Sequence, residues 1–82
     1  MARTAINPGE HLAEHLEALG MSAKELARNL LVPTNLIKDI LRGRSAITGE
    51  TALRLGRFFG TSPEFWLNLQ KIYDLRLEEG SL

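Results

Sequence analysis

The chain has no cysteine, which removes disulfides and thiolate metal sites as ways of holding it together. No run of about 18 apolar residues occurs, and the start, MARTAIN, has no apolar stretch of signal-peptide type. Both absences predict a cytoplasmic protein with no membrane partner. Strand-like alternation and internal repeats are missing too, which leaves an all-α reading. An excess of charge of either sign is also lacking: ten Lys and Arg balance ten Asp and Glu.

What is present is enough for one globular domain. The 82 residues, 44% hydrophobic and 24% charged, are expected to form a single unit over 1–82, with no room for a catalytic domain or for a second domain sensing a metabolite. No small-molecule effector is therefore expected. The balanced charge is unevenly spread. Residues 1–20 set Arg3 against Glu10, Glu14 and Glu17, and residues 62–82 set Lys71 and Arg76 against Glu64, Asp74, Glu78 and Glu79. Residues 21–45 are basic, with Lys24, Arg28, Lys38, Arg42 and Arg44 against Glu25 and Asp39, and Arg54 and Arg57 against Glu50 follow. A local basic patch governs phosphate attraction more than the net value does.

Helix caps divide the chain into five helices. Asn7-Pro8-Gly9-Glu10 opens the first and Gly20 closes it, combining an N-cap, a first-turn proline and a C-terminal glycine. Ser22-Ala23-Lys24-Glu25 is a capping box for a short second helix to about Leu30. Pro33 starts a third that runs to Arg42 and stops at Gly43. Thr48 caps a fourth that ends at Gly60, and Ser62-Pro63 caps a fifth that runs to about Glu79. The 100° step per residue gives each helix its facing. Leu12, Leu16 and Leu19 form the stripe of the first; Ala23, Leu26, Ala27 and Leu30 share a side of the second. The third sorts Leu36, Ile37, Ile40 and Leu41 from Thr34, Asn35, Lys38, Asp39 and Arg42.

Two short helices joined by Leu31-Val32-Pro33 meet the minimal description of a helix-turn-helix over about 22–43. The second helix of such a pair enters the major groove and reads base edges with its first turns. Thr34, Asn35 and Lys38 are the candidate base readers: Asn for an adenine edge, Lys for guanine O6 or N7, Thr through its hydroxyl or its methyl. Ser22, Ala23 and Lys24, at a helix N-terminus, together with Arg42, Arg44 and Ser45, are the candidate phosphate contacts. Arg28 is a weaker one. A polar helix face on its own is usually only solvated; here cap, turn, paired helices and local basic surplus agree, which points to double-stranded DNA.

MSAKELARNLLVPTNLIKDILRGRSAIT resembles the helix-turn-helix of Xre/Cro-like repressors, a five-helix, lambda-repressor-like domain. NPGEHLAEHLEALGMS before it and TALRLGRFFGTSPEFWLNLQKIYDLR after it resemble the HigA/VapI branch, the antitoxins of HigBA-type modules. The resemblance covers about Asn7 to Arg76. It implies a bacterial, nucleoid-associated homodimer that binds a palindrome in its own promoter and neutralises a cognate mRNA-cleaving toxin. Two positions depart from the pattern. Ala23 stands where the superfamily often has Gln, and Leu31 stands where Gly is common after the second helix. Leucine is costly at positive φ, so the turn is either strained or differently built.

The fifth helix carries Phe65, Trp66, Leu67, Leu69, Ile72, Tyr73, Leu75 and Leu77, more apolar surface than one stripe on a small core can use. One face is expected to meet the first and fourth helices near Leu55, Phe58 and Phe59, and another its own copy across a two-fold axis. Phe65, Trp66, Leu69, Ile72 and Tyr73, within a dimerisation helix over about 63–79, are the interface candidates. Such a dimer sets recognition helices about 34 Å apart and demands an inverted-repeat operator. The alternative is that all these residues serve an intrachain core.

One further motif competes. HLAEH, residues 11–15, spells H-x-x-E-H, used by a class of zinc peptidases. A catalytic zinc needs a third protein ligand, and His11 and His15 are the only histidines. On the helical wheel both border the leucine stripe while Glu14 points away. No catalytic residue, metal or cofactor is therefore expected. Two other functions stay open beside the antitoxin: a stand-alone repressor with no toxin partner, and an interaction module that kept the fold without binding DNA.

Overall fold

The computed structural model describes residues 4–81; Arg3, counted in the charge balance above, lies outside them. Five helices follow one another: α1 (Pro8–Leu19), α2 (Ala23–Leu30), α3 (Thr34–Leu41), α4 (Gly49–Phe59) and α5 (Pro63–Ser81). No strand occurs among the described residues. The expected boundaries hold closely, except that Pro33 is the N-cap of α3 rather than its first residue and α5 continues past Glu79.

Local chemistry explains the ends. Gly9 N–H donates to Asn7 Oδ1 at 2.7 Å while Asn7 N–H donates to Glu10 Oε2 at 3.2 Å. The same reciprocal pair recurs on α2, where Glu25 N–H donates to Ser22 Oγ and Ser22 N–H donates to Glu25 Oε1, both at 3.1 Å. Each box satisfies donors that a helix start leaves without intrahelical partners.

Leu12, Leu16, Leu26, Ala27, Leu30, Ile37, Ile40, Ile47, Ala52, Leu55 and Trp66 form one buried core. Helix α2 lies against α3 and α4, α1 against α3 and α5, and α4 against α5. The contact of α1 with α3 is close enough that a Cβ on Gly9 would overlap the Ile40 carbonyl oxygen. Leu19 departs from the expected stripe. It is 58% exposed, because α1 outruns the core by its last turn and ends in the left-handed Gly20.

The turn between α2 and α3 is settled in favour of strain. Leu31 sits at φ 60°, ψ 44° and is the one non-glycine residue at positive φ among those described. Its N–H donates to Arg28 O at 3.3 Å and the Val32 N–H to Ala27 O at 3.0 Å, the paired closure of a left-handed helix end. After α1, α3 and α4 glycines hold the corresponding conformation. A leucine there costs about 1–2 kcal/mol.

Candidate nucleic-acid interface

Helix α3 is fixed from behind and open in front. Ile37 and Ile40 are buried, and Leu36 and Leu41 pack half-buried on the core. On the opposite face Asn35 and Lys38 are exposed and Thr34 is half-buried. None of these three side chains makes a hydrogen bond or ion pair among the described residues, which leaves their donors and acceptors for an outside partner. The spacing 34, 35, 38 puts them in the first turn and a half of one face, as reading a base edge requires.

The phosphate candidates divide by exposure. Ser22, Lys24, Arg42 and Arg44 are exposed; Ala23 and Ser45 are half-buried. The Ala23 methyl packs toward the core, so this residue has only its backbone N–H to offer, one of the donors that a helix start leaves open. Ser22 is partly committed: its N–H is held by Glu25 Oε1 and its Oγ accepts from the Glu25 N–H. That arrangement keeps the Glu25 carboxyl below its usual range, chiefly through the Ser22 backbone N–H, then the Ser22 hydroxyl and the charge of Arg28. Beyond α3, Gly43 N–H donates to Ile40 O at 3.1 Å and Arg44 N–H to Asp39 O at 2.8 Å. The loop that carries Arg42, Arg44 and Ser45 is thereby folded back on the end of α3.

Three residues shape this surface through contacts that the sequence reading did not foresee. Gln70 Oε1 accepts from the Ile47 N–H at 2.9 Å, tying the loop after α3 to α5. Arg54 donates through Nη1 to Leu30 O at 2.8 Å and through Nη2 to Glu50 Oε1 at 3.1 Å. It thus caps α2 next to the strained Leu31. Asn7, besides capping α1, stands where a Cβ on Gly43 would meet its Nδ2. Only the Glu50–Arg54 spacing of four carried a sequence signal; the other contacts join residues far apart in the chain.

The fifth helix corrects one assignment and qualifies two. Trp66, placed in the dimer interface, is fully buried. Its Nε1 donates to Thr61 Oγ1 at 2.9 Å, and its ring lies 5.7 Å from Phe59 and 5.0 Å from Phe65. It belongs to the intrachain core because its side of α5 is the one that meets α4 and α1. Leu69 and Tyr73 are half-buried, Leu69 against the core. Phe65, Leu67, Ile72, Leu75 and Leu77 remain exposed. His15 is accounted for by the same cluster. Its ring centroid is 5.0 Å from Phe59 and 5.1 Å from Trp66, and its Nδ1 lies 2.9 Å from His11 O.

Residues 12–66 match the helix-turn-helix family. The chain is 47% identical over 76 residues to virulence-associated protein I of Dichelobacter nodosus, covering 92% of this chain and 70% of that one. Among solved structures, an addiction module antidote protein of the HigA family from Coxiella burnetii superposes with a TM-score of 0.90 at 55% identity, over 92% of this chain and 83% of that one. Pseudomonas aeruginosa antitoxin HigA, solved with the higBA promoter, gives 0.92 at 40% identity over 95% and 86%. The sequence match and the shared five-helix frame agree on one assignment: the chain belongs to the helix-turn-helix family, among its HigA-type antitoxins.

Proposed function

We propose that this chain is an antitoxin that binds its own promoter as a homodimer, represses it, and neutralises a cognate mRNA-cleaving toxin. The observation that carries the reading is the open face of α3, with Thr34, Asn35 and Lys38 unengaged, on the frame of a relative solved with promoter DNA.

The mechanism follows from the geometry. Helix α3 lies in the major groove; Asn35 pairs with an adenine edge, Lys38 donates to guanine, and Thr34 packs on or bonds to a neighbouring base. The backbone N–H groups of Ala23 and Lys24, the Ser22 hydroxyl and the side chains of Lys24, Arg42, Arg44 and Ser45 grip phosphates on either side. These contacts hold the protein in register and carry no sequence information of their own. Phe65 and Ile72, flanked by Leu69 and Tyr73, meet a second copy across a two-fold axis. The two α3 helices then face half-sites of an inverted repeat about one helical turn apart. This reading assigns no catalytic residue, metal, cofactor or small-molecule effector, and it places the protein in the bacterial cytoplasm on the nucleoid.

The test is operator binding by the full chain with Asn35→Ala and Lys38→Ala combined. Each lost base contact is expected to cost about 1–3 kcal/mol at the chain's own promoter and to relax specificity, while the fold stays intact. Unchanged affinity in that variant, or no preference of the unaltered chain for its promoter over random DNA, refutes the reading. Affinity is also expected to fall steeply with salt, since phosphate contacts release counterions.

A further inference from the structure

The loop from α3 to α4, with Arg42, Arg44 and Ser45 on it, is fastened at two places. At its front the Arg44 and Ser45 N–H groups donate to Asp39 O at 2.8 and 3.3 Å, which ties it to α3. At its back the Ile47 side chain is buried in the core, and the Ile47 N–H donates to Gln70 Oε1 at 2.9 Å. Between the two fastenings the Arg44 guanidinium, the Ser45 hydroxyl and the Ala46 N–H have no partner among the described residues. Those are the kinds of group that hold DNA phosphates.

The Gln70 bond adds something that the core does not. Burial of the Ile47 side chain already fixes where the chain enters α4, and Thr48 caps that helix. The Ile47 N–H, however, belongs to a rigid planar unit that includes the Ala46 carbonyl. Holding that unit sets the direction in which Ala46 and Ser45 leave it.

Gln70 is itself held. It stands one helical turn beyond the fully buried Trp66, and its Nε2 donates to Asp74 Oδ1 at 3.0 Å. An amide has a donating end and an accepting end, and a carboxylate only accepts. Asp74 therefore fixes which end faces the loop: the reverse orientation would set NH2 against the Ile47 N–H and oxygen against the carboxylate.

We propose that Gln70, oriented by Asp74, is a positioning residue for operator binding, which acts by presenting Arg44, Ser45 and the Ala46 N–H to the phosphates flanking each half-site. A loop ordered before binding spares the complex the cost of ordering it. This rests on the operator-binding reading above, and the test separates the two. The full chain, Gln70→Ala and the double variant Gln70→Glu with Asp74→Asn are titrated with a duplex of the chain's own promoter and with a random duplex. Salt is varied, and thermal unfolding is followed in parallel.

Alanine keeps α5 helical and removes the acceptor. Affinity is expected to fall about tenfold for both duplexes alike, because phosphate contacts carry no sequence information. The slope of log affinity against log salt is expected to become shallower by about one per protomer. A merely structural defect would reduce the folded fraction and leave that slope alone. The double variant is isosteric and keeps the net charge; its new carboxylate accepts from both the Ile47 N–H and the new amide. It is expected to recover both affinity and slope. An unchanged slope in Gln70→Ala, or a double variant as weak as Gln70→Ala, overturns the inference while the unaltered chain's preference for its promoter keeps the operator reading standing. Absence of that preference overturns both.

Discussion

Helices α3 and α5 both turn a whole face to solvent, and the two faces differ in kind. The face of α3 is polar, short and rigidly backed by Ile37 and Ile40. That of α5 is apolar, with Phe65, Ile72 and Leu75 exposed along a helix of 19 residues whose one fully buried side chain is Trp66. A polar face with unengaged hydrogen-bonding groups is stable in water and still recognises bases. An apolar face of that length is costly in water unless it is covered, which is the reason a second copy is proposed to cover it. The two surfaces are mechanically joined, since Gln70 of α5 holds the loop that follows α3.

Trp66→Ala would break the contrast most severely. It removes the anchor of α5, together with its hydrogen bond to Thr61, and is expected to cost about 3–5 kcal/mol in denaturant unfolding. For a domain whose whole stability is of order 5–15 kcal/mol, both surfaces would be lost together. Ile72→Asp leaves the core untouched and tests the apolar face alone. A buried, unpaired carboxylate on each side of the two-fold axis should lower dimer affinity by about 3 kcal/mol in sedimentation equilibrium, and operator binding should fall with it while helicity is retained. Asn35→Ala with Lys38→Ala is the converse, removing DNA recognition while the dimer persists. Glu25→Ala has the smallest effect. The Glu25 carboxyl is held below its usual range by Ser22, so its contribution to α2 is present at neutral pH and is lost as the pH falls through the lowered folded value. Replacing it should lower stability slightly at neutral pH and flatten the acid limb of the stability–pH curve, while operator binding by the α3 face is retained.

The same contrast explains what could be read without coordinates. In α2 and α3 apolar and polar residues segregate within two turns, so the direction of Asn35 and Lys38 followed from spacing alone. In α5 apolar residues lie around most of the helix, and spacing could not say which of them faces inward. That is why Trp66 was assigned outward. Leu19 failed for another reason: it continues the stripe of Leu12 and Leu16 in register, but the core ends before it does. Arg54 and Gln70 act through contacts 24 and 23 residues away in sequence, and no local pattern encodes such a pairing.

The sequence by itself determined the five helices, their caps and the polar reading face of α3, because capping and amphipathic segregation depend on residues within one or two turns of each other. Tertiary structure decided which side of α5 is buried, how closely α1 approaches α3 at Gly9, and that Leu31 is held left-handed with its side chain in solvent. Those outcomes depend on which elements meet across the core, and the geometry of that meeting is a property of the folded whole.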